Sequence, residues 1–185
     1  MEFKVETMVS DRTFEKKKRP LWVCPVCGQR FVTRNMSHSC GHHTIDEHFE
    51  GKSPEIRELF EHLVRTVRGF GRVHVYAQKT RIVFQTRGRF VAVTPRRSHL
   101  GGHIWLKRPR AHPRVHRIDS LLGRDFVHNF RLTRLEDLDE AFCDLLREAY
   151  SVGEQEFDVR REPRRASGDE EQQRVHSAQL KERNQ

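Results

Sequence analysis

Cys24 and Cys27 stand two residues apart in the run Trp22-Val23-Cys24-Pro25-Val26-Cys27-Gly28, and His38-Ser39-Cys40 follows after ten intervening residues. Two thiolates at this spacing can hold one face of a metal ion, and an imidazole with a third thiolate can complete a tetrahedron. That donor set is the one structural zinc takes. Pro25 and Gly28 favour a tight turn that aims both sulfurs, and nearby backbone amides, at one point. The expected ligands are therefore Cys24, Cys27, His38 and Cys40, with Zn2+ as the cofactor. His38 and Cys40 are separated by one residue, closer than the usual three or more, so His42, His43 and His48 are substitutes for His38 at the fourth position. A catalytic zinc keeps one position open for water. The surplus of local donors here favours a closed site that holds together a segment too small to fold alone. The remaining cysteine, Cys143, reads as a small buried hydrophobe.

The elements that must carry this centre belong to a chain of 185 residues, 33% charged and 35% hydrophobic, with a net charge of +9. That length holds one ordinary domain with small attachments. No apolar run approaches the roughly 20 residues that cross a bilayer. Met1 to Ser10 has no apolar block, so no secretory leader is expected. The cysteine pattern fits a metal cluster rather than disulfides, and a cytoplasmic protein is expected. Charge is uneven. Residues 72–134 hold 15 Lys/Arg against two acids, Asp119 and Asp125, a net of +13, whereas residues 135–185 are net −6.

Residues 1–20 read as a flexible basic arm ending in Lys16-Lys17-Lys18-Arg19-Pro20, and residues 21–51 as the zinc module. Thr44 and Glu47 have capping-box spacing ahead of a short helix. Residues 52–157 read as the main domain. Over 53–68, Ile56, Leu59, Phe60, Leu63, Val64 and Val67 repeat at three- and four-residue steps behind Ser53 and Pro54, predicting a helix. A second is predicted over 134–150, capped by Thr133 and Glu136, with Leu135, Leu138, Phe142, Leu145, Leu146 and Ala149 as its stripe.

Between the helices the period falls to two. Strands are predicted at 73–76, 81–85, 90–93, 103–107, 115–118 and 126–131, with a tight hairpin at Arg87-Gly88 and a longer loop between Pro95 and Gly101-Gly102. The predicted fold is α+β: an antiparallel meander of five or six strands flanked by two helices and preceded by the zinc module. Residues 158–185 carry few large apolar side chains and are expected to be a disordered charged tail.

Alternation places Ile82, Phe84, Phe90, Ala92, Ile104 and Leu106 against the helices. The opposite face then carries Arg81, Gln85, Arg89, His103, Trp105 and Lys107, with His74 and Tyr76 nearby. Cations beside an aromatic ring suit a phosphate backbone with stacked bases. The plain alternative is a solvated basic surface, neutralised by the acidic C-terminal third. Metal-dependent nucleases gather carboxylates, and the sheet region has only two. The histidines of the sheet region (His99, His103, His112, His116, His128) have no spacing that marks a hydrolase.

The run Cys-Pro-Val-Cys-Gly to His-Ser-Cys-Gly, then Glu50-Gly51-Lys52-Ser53-Pro54, Lys79-Thr80-Arg81-Ile82, His128-Asn129-Phe130-Arg131-Leu132 and the closing Arg147 to Gln155 together resemble a bacterial domain of unknown function, number 5655, over about residues 20–156. The resemblance implies a small α+β domain, similar in outline to antiparallel-sheet proteins flanked by helices, some of them linked to DNA or iron binding. It implies no catalytic assignment, and it singles out Lys79 and Arg81 as candidate ligand contacts.

The expected function is a non-catalytic, zinc-containing module that contacts nucleic acid or another polyanion through Lys79, Arg81, Arg89, Trp105 and Lys107. The alternatives are an acidic protein partner or an anionic small ligand on the same face, and, behind these, a histidine-dependent hydrolase. No membrane partner is expected.

Overall fold

The computed structural model describes residues 18–156 apart from Ser37, Ser39 and His42. Most of the expected basic arm and the whole of the expected tail at 158–185 lie outside these residues. Lys18 to Pro20 lie within them and are tied to the main domain, with Lys18 ion-paired to Glu156 (2.5 Å) and Glu154 (3.5 Å). Among the described residues no helix is long and apolar enough to cross a membrane.

The architecture is α+β. A two-stranded hairpin, β1 (Trp22–Val23) with β2 (Arg30–Phe31), precedes a short 3-10 turn at Asp46–Phe49 and helix α1 (Pro54–Arg68). Six strands follow: β3 (His74–Gln78), β4 (Arg81–Gln85), β5 (Arg89–Pro95), β6 (Leu100–Leu106), β7 (Val115–Leu121) and β8 (Asp125–Leu132). Helix α2 (Glu140–Glu154) closes the domain. Every pairing in the six-stranded sheet is antiparallel.

α1 buries Ile56, Leu59, Phe60, Leu63 and Val67, the stripe its sequence periodicity predicts, with Val64 packed at its margin. Ser53 holds the N-cap backbone position, but its side chain makes no cap hydrogen bond. It instead bonds the Glu55 carboxylate, whose pKa it lowers. α2 buries Phe142, Leu145, Leu146 and Ala149 and packs on β5 and β6. The helices and one sheet face enclose Ile82, Phe84, Phe90, Val91, Val93, Leu100, Ile104, Leu106, Phe130 and Leu132. Burying several such side chains, each contributing about 1.5–3 kcal/mol, drives the helices onto this face.

Five expectations are corrected. The sheet is not a simple meander: the strand order is β3-β4-β5-β6-β8-β7, so β8 inserts beside β6 and β7 takes the edge. Gly101 and Gly102 do not bracket a loop but lie inside β6, paired with Thr94 and Val93. A Cβ on Gly102 would fall 2.5 Å from Phe130 Cζ and 2.6 Å from the Ala92 carbonyl oxygen, so the glycine is there for a close approach, not a turn.

Ala92 faces away from the helices, because Phe84 pairs with Val91 while Gln85 pairs with Arg89. The extra residue, Phe90, makes a bulge that puts both Phe90 and Val91 in the core and reverses the alternation beyond it. The second helix begins at Glu140 rather than 134, with Asp139 Oδ1 accepting from the Phe142 amide at 2.7 Å. The preceding turn is organised by Asp137, not by Thr133 and Glu136 as a box. Asp137 Oδ2 accepts from the Thr133 amide (2.6 Å), the Thr133 hydroxyl (2.9 Å) and the Arg134 amide (3.3 Å).

Candidate metal centre and the open sheet face

The hairpin of β1 and β2 shapes the metal loop. The Cys24 amide donates to the Gln29 carbonyl at 2.8 Å, and the Gly28 amide donates to the Cys24 carbonyl at 2.9 Å. Gly28 closes the loop at φ +72°, a conformation that favours glycine. The Cys27 amide, helped by that of Val26, directs its N–H at the Cys24 sulfur. Together they outweigh burial and hold Cys24 down to about 6.

Cys24, Cys27, His38 and Cys40 converge, with one donor atom from each lying within 4.8 Å of the others. Two sulfurs bound at about 2.3 Å to a tetrahedral zinc stand ~3.8 Å apart. Cys24 Sγ and Cys40 Sγ are 3.8 Å apart. His38 Nε2 lies 3.1 Å from Cys27 Sγ and 3.2 Å from Cys40 Sγ. His38 Nδ1 donates to the Met36 carbonyl at 2.7 Å, which leaves Nε2 as the lone-pair nitrogen facing the sulfurs. Burial, reinforced by the Cys24 and Cys27 sulfurs, pushes Cys40 up to about 11. Ionising all three thiols in so small a space is costly, and a divalent cation would offset that cost. The set can hold a metal ion such as zinc.

Two of the substitute histidines are engaged elsewhere. His48 Nε2 donates to the Gln78 carbonyl at 2.8 Å, and His43 Nδ1 lies 3.6 Å from Glu47. His42 lies outside the described residues.

The hairpin rests on the sheet face that the helices leave open. Phe31 is buried against Trp22 and His38, with ring centroids 5.9 Å and 4.5 Å away. The Arg89 guanidinium lies over the Phe31 ring at 5.4 Å. Gln85 Nε2 donates to the Arg30 carbonyl at 2.5 Å, and the Tyr76 hydroxyl donates to Gln85 Oε1 at 2.9 Å. One end of the predicted basic face is thus already covered by the metal module.

Register defines the rest of that face. Tyr76, Val83, Ala92, His103 and Asn129 form one row across β3, β4, β5, β6 and β8. In the neighbouring row Thr94 pairs with Gly101, which pairs with Arg131, and Arg81 stands at the β4 end. Of the expected contact residues, Arg81 and Trp105 lie on the open part, with Trp105 edge-on to His103 at 4.5 Å. Lys79 is exposed in the β3–β4 turn. Lys107 is ion-paired with Asp125 at 2.5 Å, and Arg89 is spent on Phe31. Arg131 and Asn129 were not among the expected contacts, although their alternation with the buried His128, Phe130 and Leu132 in β8 places them on this face.

The histidines are dispersed. His112 Nε2 lies 3.2 Å from Asp139, and His128 Nε2 accepts from the Arg110 amide at 2.8 Å beneath the sheet. His103 is pushed down to about 4 from an ordinary 6.5, chiefly by burial and then by Arg81. The unfolded chain therefore takes up this proton more readily than the folded one. The associated stability is complete above pH 6.5 and is lost as pH falls toward 4. His103→Gln is expected to flatten the decline in urea-unfolding stability across that window. A wild-type slope retained in the variant would refute the assignment.

Residues 45–153 match the family model described as Domain of unknown function (DUF5655). The matched span begins after Cys40, so the metal loop precedes it, which narrows the resemblance drawn from the sequence over 20–156. Neither the curated proteins nor the solved structures give a match. With its two helices, its six-stranded sheet and more than half its length matched, the chain belongs to the DUF5655 family.

Proposed function

We propose that the protein is a non-catalytic binding module that holds a structural zinc through Cys24, Cys27, His38 and Cys40 and contacts nucleic acid, as a polyanion, through its open sheet face. The observation that carries this reading is the pair Arg81 and Arg131. They share one row of the sheet across Thr94 and Gly101, and neither has an ion-pair partner among the described residues. Three strand spacings separate them, roughly 14 Å. The residues between them, Thr94 and Gly101, are small, so the strip beside His103 and Trp105 carries no bulky side chain in that row. Guanidiniums at its two sides take phosphates, and the uncharged His103 and the Trp105 ring offer surfaces for bases.

The test is equilibrium binding of the zinc-loaded chain to labelled single- and double-stranded DNA and RNA across a salt series. Arg81→Glu with Arg131→Glu is expected to weaken binding by at least about tenfold and to reduce the log–log salt slope by about 2. Lys107→Glu, whose cation Asp125 already neutralises, is expected to do less. Absence of binding at low salt would end the nucleic-acid reading and leave the face to an acidic protein or an anionic metabolite.

A further inference from the structure

A cleft of 540 Å³ opens where the metal hairpin meets the β3 edge of the sheet, and neither Arg81 nor Arg131 lines it. Leu21, Gly28 and Arg30 come to it from the metal module, Arg72, Val73 and His74 from the approach to β3, and Thr86 and Arg87 from the β4–β5 hairpin. Three arginines thus line one space from three separate segments. Arg30 and Arg72 have no ion-pair partner among the described residues. Among the described residues Arg87 bonds neutral oxygens, Gln155 Oε1 at 3.2 Å and the Arg19 carbonyl at 2.5 Å, and has no ion-pair partner. The single carboxylate in the lining, Glu154, is turned to Lys18 at 3.5 Å. Like charges gathered at one cleft attract an anion, and three guanidinium forks suit a tetrahedral dianion better than a flat carboxylate.

We propose that this cleft binds a small phosphomonoester, its phosphate held among Arg30, Arg72 and Arg87. The volume falls in the roughly 300–1,000 Å³ range of small-molecule sites and exceeds what a bare phosphate fills. Leu21 and Val73 supply apolar wall for the organic body, and His74, stacked on Tyr76 at 5.0 Å, lines the same side. Burial and the nearby Arg30 lower the His74 pKa, which keeps the ring uncharged at neutral pH. The site goes beyond the sheet-face reading and shares none of its contact residues.

The experiment is titration calorimetry of the zinc-loaded full chain with ribose 5-phosphate, adenosine monophosphate and inorganic phosphate, repeated on Arg30→Gln/Arg72→Gln and on Arg81→Glu/Arg131→Glu. Both pairs are surface arginines, and circular dichroism confirms folding. The expected result is saturable binding of at least one phosphomonoester, tighter than inorganic phosphate, weakened at least tenfold by Arg30→Gln/Arg72→Gln and changed less than twofold by Arg81→Glu/Arg131→Glu. No saturable binding at about 1 mM of any probe overturns the proposal. Binding that survives Arg30→Gln/Arg72→Gln overturns it too. Loss confined to Arg81→Glu/Arg131→Glu would place the phosphate on the sheet face instead. Because the two variant pairs are separate, failure here leaves the nucleic-acid reading standing, and failure of that reading leaves the cleft.

Discussion

Stripping the metal with a strong chelator is expected to unravel residues 21–40 while leaving the α+β core folded. The hairpin of β1 and β2 is two residues long on each side, far short of what a hairpin needs to stand alone in water. Its stability is expected to come from the metal, and structural zinc contributes on the order of 10 kcal/mol in peptides that fold around it. Among the described residues the core cluster draws on none before Ile45, so its cooperative melt should persist. Trp22, packed on Phe31 and His38, is the natural reporter. In a Trp105→Phe background its emission should shift to the red on chelation, with release of one metal per chain, and Cys27→Ser should reproduce the shift in the metal-replete protein. Unchanged Trp22 emission after verified metal loss would mean that the hairpin folds without a metal, and the structural assignment would fall.

The second large effect is expected at Asp137. Its carboxylate side chain is fully buried, accepts the three hydrogen bonds that form the turn before α2, and pairs with Arg114 at 2.8 Å. Burial alone would raise its pKa, but the Thr133 and Arg134 donors with the Arg114 charge outweigh it, and the net direction is down. A depressed carboxylate contributes stability that is present above its ordinary value of 3.8 and is lost as pH falls through the folded value. Asp137→Ala leaves two amides, a hydroxyl and a guanidinium without their anion. Breaking a buried pair in this way costs about 3–5 kcal/mol, a fall in Tm of about 10 °C or more for a domain of this size. The exposed Glu136, changed to Ala, should cost less than about 0.5 kcal/mol. Equal losses at the two positions would put the organising role back on the predicted Thr133–Glu136 box.

That contrast marks where the chain is legible from its residues. The apolar stripe of α1 and the bounds of β4 follow directly from periodicity, because one face of each is buried along its whole length. Asp137 was missed because a capping box and an aspartate-centred turn use the same kinds of residue one position apart, and only the depth of burial tells them apart. Ala92 was placed on the wrong face because alternation assumes an unbroken pleat, and a bulge is a property of two paired strands rather than of either one. Gly101 and Gly102 read as punctuation when both lie inside β6, where Gly102 lets Phe130 pack against the strand. At the metal centre the donor types and the Cys24–Cys27 spacing were visible in the residues. The choice of His38 rests on a Met36 carbonyl that orients its ring and on distant β3, which occupies His48. Arg89 and Lys107 looked like free cations because their partners, Phe31 and Asp125, are far away in sequence.

The exchange of the last two strands also has a bearing on the order in which the chain can assemble. Leu100 of β6 meets Leu132 of β8, so the hydrogen bonds on that side of β6 wait for a segment about thirty residues downstream. Contacts of high sequence separation are entropically slow to form. β3 to β6 can zip as successive hairpins, and β7 with β8 as another, but the sheet becomes one only when the second unit docks on the first. A growing polypeptide that has reached Leu121 still exposes the amides of β6 as an open edge, a template for pairing with another chain. The docking of β8 is therefore the natural candidate for the rate-limiting step of folding, and truncations just short of Asp125 should aggregate rather than fold.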